Sequence, residues 1–170
     1  VGLTCLEPHL WNRPWFELLA GKRVLAISPF ARTIESQQSR LADVWRVKPA
    51  MAAQYELVTI ESPLCAALVE SPFSSWGEGL DRMRERMESL DFDVAIIGAG
   101  AWSLPLAVHA KRLGRVGVHL GGAAQLVFGI LGQRWDQNPK HSGYFNEHWV
   151  RPDMSQRPET FTKIEGGCYW

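Results

Sequence analysis

The sequence is short of several things, and each shortage excludes a class of protein. It has three cysteines in 170 residues, Cys5, Cys65 and Cys168. Their number is odd and no C-x-x-C spacing occurs, which excludes a disulfide framework and a zinc knuckle and leads to the expectation of a reducing, cytoplasmic setting. No apolar run reaches the ~18 residues that span a bilayer, and no charged, apolar, small-residue leader opens the chain. Net charge is missing as well: 18 basic residues balance 18 acidic ones, so no global field draws the chain to nucleic acid or to an anionic membrane. Hydrophobic residues at 46% and charged residues at 21% separate it from disordered chains.

A local shortage carries more information. From Val94 to Trp135 there is no carboxylate, only Lys111, Arg112, Arg115 and Arg134, whereas Glu78, Asp81, Glu85, Glu88, Asp91 and Asp93 crowd residues 78 to 93. The stretch 94–135 is locally cationic.

Four β-rich runs stand out: Val24 to Ser28, Leu57 to Ile60, Val94 to Ile97 and Val116 to Leu120. The first and third are nearly continuous in apolar side chains, as strands buried on both faces are. Helical patterns lie between the runs. Ile34, Leu41 and Trp45 follow Thr33, a candidate cap. Leu80, Met83, Met87 and Leu90 share one face behind a Ser75/Glu78 capping box, with Glu78–Arg82 and Arg84–Glu88 as charge pairs one turn apart. Leu106, Ala110 and Leu113 share another face, and Ala123 to Leu131 is apolar on nearly all sides. Strands alternating with helices predict a doubly wound, Rossmann-like α/β layer with a mainly parallel sheet of about four strands. The predicted organisation is one domain over residues 1–132, with an N-terminal helical segment at 1–21, and an irregular aromatic-rich arm at 133–170 packed on it.

In an open parallel sheet, ligands bind beyond the carboxyl ends of the strands. Gly98 and Gly100 close the third run, and Gly121 and Gly122 close the fourth. Both turns are therefore predicted on one rim, where bare backbone N–H groups of Gly98, Gly100, Ala101, Gly121 and Gly122 would cradle a phosphate or diphosphate. The plain alternative is that these glycines only relieve turn geometry. An NAD site is disfavoured, because Ser103 stands where the dinucleotide fingerprint has its third glycine, the unit is not the first, and His119 appears where an acid is needed. Asp91-Phe92-Asp93 resembles a metal-binding D-x-D but precedes its strand, on the opposite edge. No ligand for a divalent metal can be assigned.

His119, at the tip of the fourth run, is placed to act as acid or base or to donate to phosphate. In the arm, Glu147 is a candidate base for a sugar hydroxyl, Trp149 a stacking surface and Arg151 a phosphate fork. An arm folded over the carboxyl edge would supply all three.

The stretch "DFDVAIIGAGAWSLPLAVHAKRLGRVGVHLGGAAQLVFGILGQRW", with "NEHWVRP" and the final "EGGCYW", resembles a family of mostly uncharacterised bacterial proteins associated with surface-polysaccharide gene clusters. It is more distantly similar to the glycosyltransferase GT-D fold. The resemblance implies transfer of a sugar from a nucleotide diphosphate sugar to a glycan acceptor. It also implies that family members begin earlier than Val1, with the acidic metal-binding motif of that class in the upstream part. The expected function is a glycosyltransferase or its donor-binding lobe; the alternatives are a non-catalytic nucleotide-binding or scaffolding module and an NAD(P)-dependent oxidoreductase.

Overall fold

The computed structural model describes residues 6–65 and 69–170. Cys5 lies outside the described residues. Four parallel strands, β1 (Arg23–Ser28), β2 (Glu56–Glu61), β3 (Val94–Ile97) and β4 (Val116–His119), form one sheet in the order β2-β1-β3-β4. The Rossmann-like α/β architecture is thus present, with strand bounds within a residue of those expected.

The apolar continuity of β1 and β3 is explained by a core on each side of the sheet. Successive side chains point to opposite faces. Val24 and Ala26 of β1 and Ile96 of β3 enter one core, while Leu25, Ile27, Ala95 and Ile97 enter the other. The first core is covered by α1 (Ala31–Gln37), α2 (Leu41–Val44), α5 (Ala123–Val127) and the arm; the second is covered by α3 (Trp76–Glu88) and α4 (Ser103–Arg112). Because the crossover after β1 lies on one face and the next two lie on the other, the strand order reverses between β1 and β3.

Local chemistry sets the helix bounds. Ser75 caps α3 by accepting from the Glu78 N–H at 3.1 Å, as expected. The Glu78 carboxylate turns instead to the N–H and hydroxyl of Ser74, at 2.9 and 2.6 Å. The exposed charges of α3 pair at i,i+3, Arg82 with Glu85 and Arg84 with Asp81, rather than at the expected i,i+4. Thr33 is a correction: it lies inside α1, and its hydroxyl donates to Gln156 and accepts from the Asp153 N–H, tying the arm to the sheet. The segment expected to be helical from Ala123 to Leu131 stops at Val127, though residues 123–130 are buried.

Helix α4 lies closely on β4. A Cβ at Gly117 would stand 2.3 Å from the Ala107 carbonyl oxygen, so only glycine permits this approach. At the amino edge, Asp91 pairs with Arg23 and, at 3.3 Å, with Arg115, and Asp93 accepts from the Arg23 N–H at 2.8 Å. That hydrogen bond, followed by the guanidinium, holds the Asp93 carboxyl below its usual range. The D-x-D residues are therefore occupied in joining β1 to β3, opposite the glycine rim.

The arm is irregular but anchored. Pro139–Ser142 forms a short helix, α6, and the backbone N–H groups of Leu131 and Val150 donate to the carbonyls of Val150 and Gly129 respectively. His141 of α6 is buried against His9, whose Nε2 lies 2.9 Å from His141 Nδ1, while His141 Nε2 is 3.4 Å from the Glu7 carboxylate. Tyr144 donates its hydroxyl to the His9 carbonyl and meets the imidazole edge-on, and Trp45 packs on the same ring. Burial, then His141 and Lys48, push the His9 imidazole down to about 3. His141 is lowered as well, burial prevailing over the attraction of Glu7. Among the described residues, no helix is long and apolar enough to cross a membrane.

Candidate functional site

A cleft of about 300 Å³ opens at the carboxyl ends of β1, β3 and β4, at the point where strand order reverses. Ser28, Pro29 and Phe30 line it from β1, Gly98 and Gly100 from β3, and His119, Gly121 and Gly122 from β4. The two glycine turns share this rim and touch: a Cβ at Gly98 would lie 2.6 Å from the Ala124 Cβ and 2.8 Å from the Gly121 oxygen. Gly100 and Gly121 both adopt φ +57, the left-handed conformation that glycine enters without a Cβ penalty.

Hydrogen bonding within the turns leaves donors over. Gly98 N–H bonds to the Ile27 carbonyl, and Ala99 N–H to the Ser103 hydroxyl at 2.7 Å. Ser103, fully buried where a third fingerprint glycine would stand, thus closes the β3 turn with its side chain. Among the described residues, none accepts from the backbone N–H of Gly100, Ala101, Gly121 or Gly122. Gly121 and Gly122 are half-buried and Gly100 and Ala101 exposed, so the unpaired amides of the second turn are the costlier ones, and an anion at the rim would accept from amides otherwise left to solvent.

Side chains add to this. His119 reaches the cleft from the end of β4, and its Nδ1 is buried without a partner among the described residues. Gln125, 4% exposed, donates its Nε2 to the Tyr169 carbonyl at 2.9 Å and leaves Oε1 without a partner. Arg134 packs beside the second turn, with Nη1 2.9 Å from where a Gly122 Cβ would stand and its guanidinium 4.3 Å over the Tyr169 ring. Its Nη2 pairs with Glu165 and lies 2.7 Å from the Cys168 sulfur. Burial raises the Cys168 thiol, Arg134 opposing, so at neutral pH the thiol keeps its proton and can donate to Glu165.

The arm does fold over the carboxyl edge, but with Ile164, Glu165 and Tyr169 rather than residues 147–151. Glu165 holds a left-handed φ of 47, an unfavourable conformation for a side chain with a Cβ. The three arm candidates lie elsewhere. Trp149 is 6% exposed, packed on Trp45 and Phe145, with its indole N–H donating to the Val44 carbonyl at 3.2 Å; its ring is a core element and no stacking surface. Glu147 is exposed and forked onto Arg46 at 2.9 and 3.2 Å, its carboxyl held below the usual range by its own backbone N–H and then by Arg46. Arg151 pairs with Asp136 at 2.6 Å and belongs to a different surface hollow, beside Arg157 and Trp170. None of the three lines the cleft.

Ala101 lies just beyond the cleft, in an adjoining hollow. Phe30, Gln125, Arg134, Glu165 and Tyr169 were not singled out as site residues from the sequence, although Arg134 is the last cation of the carboxylate-free stretch and Glu165 and Tyr169 fall in the final "EGGCYW". A larger hollow of about 460 Å³ is bordered by a single segment around Gln133 to Asn138, and no glycine turn lines it. Among the described residues, no group of three or more His, Cys, Asp or Glu is arranged to hold a metal ion. No family model, curated protein or solved structure matches this chain.

Proposed function

We propose that the carboxyl-edge cleft binds the diphosphate of a nucleotide diphosphate sugar, and that the chain is a cytoplasmic glycosyltransferase or its donor-binding lobe serving bacterial surface-polysaccharide synthesis. The observation that carries the binding site is the set of partnerless amides at Gly100, Ala101, Gly121 and Gly122 on one rim. Arg134 would add charge beside the second turn. The polysaccharide setting rests on the sequence resemblance alone.

In the transfer step, an acceptor hydroxyl oxygen bonds to the anomeric carbon as the bond from that carbon to the β-phosphate oxygen breaks. The electron pair leaves with the nucleoside diphosphate, and the hydroxyl proton passes to a base. Donors already aimed at the leaving diphosphate lower this barrier because they need no reorganisation as charge develops. His119 is the base candidate that reaches the cleft. Among the described residues lining the cleft, Glu165 alone carries a carboxylate, and Arg134 holds it.

That last observation favours a second reading, a non-catalytic module that binds a nucleotide without transferring sugar. Titration calorimetry with UDP, GDP, CDP and dTDP sugars tests what the two readings share. Saturable heat is expected with at least one donor, and silence from all of them removes both. Arg134→Ala should weaken binding roughly ten- to a hundredfold, as expected for loss of a charged hydrogen bond. Glu165→Gln should act oppositely, strengthening it by about fivefold or less, because it frees the guanidinium from an exposed pair. Sugar release or transfer accompanying binding would separate enzyme from module.

A further inference from the structure

A second hollow, of about 270 Å³, adjoins the cleft across Gly100. Pro29, Leu64 and Gly100 line both, so the two are continuous around the ends of β1 and β3. The outer wall of this hollow is aromatic. Trp76, the first residue of α3, is 50% exposed and belongs to neither core, and its carbonyl accepts the Trp102 indole N–H at 3.1 Å. Trp102 itself is buried beneath, met edge-on by Phe73.

One polar group is built into this apolar lining. Ser62 is 2% exposed, and its hydroxyl has no partner among the described residues. A buried hydroxyl in that state costs free energy unless something completes it. A half-exposed indole beside it leaves a large flat apolar face in water.

Resting on the reading of the first cleft as a diphosphate site, we propose that this second hollow is the nucleoside subsite, with the base stacked on Trp76 and a ribose hydroxyl bonded to Ser62. The geometry suits a ligand with a charged centre and an uncharged group on each side. The partnerless amide of Gly100 stands where the two hollows meet, and that of Ala101 lies in the second hollow. The side with His119 and Gln125 would take the sugar, and the side with Trp76 and Ser62 would take the nucleoside. Base–aromatic stacking tolerates every base, so Trp76 would supply affinity while leaving the choice of base to other contacts.

The test compares inorganic pyrophosphate with UDP, GDP, CDP and dTDP by calorimetry on the wild-type protein and on Trp76→Ala and Ser62→Ala. At least one nucleoside diphosphate should bind the wild type roughly ten- to a hundredfold more tightly than pyrophosphate, the range alanine substitution of a stacking ring reports. Trp76→Ala should close most of that gap and Ser62→Ala part of it, with pyrophosphate affinity unchanged in both. Trp76→Phe should restore most of it. Pyrophosphate binding as tightly as every nucleoside diphosphate, or a gap that survives in Trp76→Ala, overturns the subsite alone. Failure of pyrophosphate and all four nucleotides to bind removes the diphosphate site and the subsite together.

Discussion

Gly117→Val is expected to lower the unfolding free energy by about 3 kcal/mol or more, and Gly117→Ala by about 2 kcal/mol. The Cβ that either variant adds would lie 2.3 Å from the Ala107 carbonyl oxygen and 2.7 Å from the Ala107 Cα. These are backbone atoms of a regular helix, so relief cannot come from one side chain changing rotamer. Either α4 lifts from β4, opening the second core around Ala107 and Ala110, or the strand shifts and carries His119 and Gly121 with it. Urea unfolding measures the effect as a lower midpoint with little change in slope. Gly143→Ala is the control: a Cβ there meets nothing within 4 Å, and the unfolding free energy should stay within about 0.5 kcal/mol of wild type. An unchanged midpoint for Gly117→Ala would mean that α4 does not lie on β4 as described.

Acid should unfold the protein through the histidine pair that pins the arm. His9 takes a proton only near pH 3 in the folded chain, against an ordinary 6.5. Between these values the unfolded chain holds more protons, so this contribution is complete above pH 6.5 and is lost as pH falls through the window. Each pH unit fully inside it removes up to ~1.4 kcal/mol, or about 3 kcal/mol by pH 4, and His141 shifts in the same direction. The charged neighbours are Lys48, which opposes a cation at His9, and Glu7 and Lys140, which act on His141 with opposite signs. Stability measured at pH 7, 5.5 and 4.5 should fall steeply for the wild type. His9→Phe should be less stable at pH 7 and should show a shallower decline, carried by His141 and the carboxylates. Equal slopes in the two proteins would refute the assignment.

The strands were legible because Val24 to Ile27 of β1 and all four residues of β3 are apolar for a local reason, a core on either side of the sheet. The shared glycine rim followed from topology, since the carboxyl ends of parallel strands in one sheet must lie on one edge. The arm was not legible in the same way. Glu147, Trp149 and Arg151 are neighbours in the chain, but without a period nothing in the sequence says which side chains turn inward. The structure sends the indole of Trp149 to the Val44 carbonyl and the two charged groups to Arg46 and Asp136. The outer wall of the cleft was hidden for a related reason: it depends on contacts between segments far apart in the chain, such as Gln125 with Tyr169 and Arg134 with Glu165. Thr33 shows the limit of cap chemistry, because a threonine before an apolar pattern can equally sit one turn inside the helix and hold a distant loop.

The tight fit of Gly98 beneath Gly121 leaves no slack between the bends that follow β3 and β4. Neither can be displaced without pushing its neighbour, so the rim is mechanically a single part. Any occupant that presses on one bend will be registered by both strands, and backbone resonances of residues 98–101 and 120–123 should move in concert as it loads.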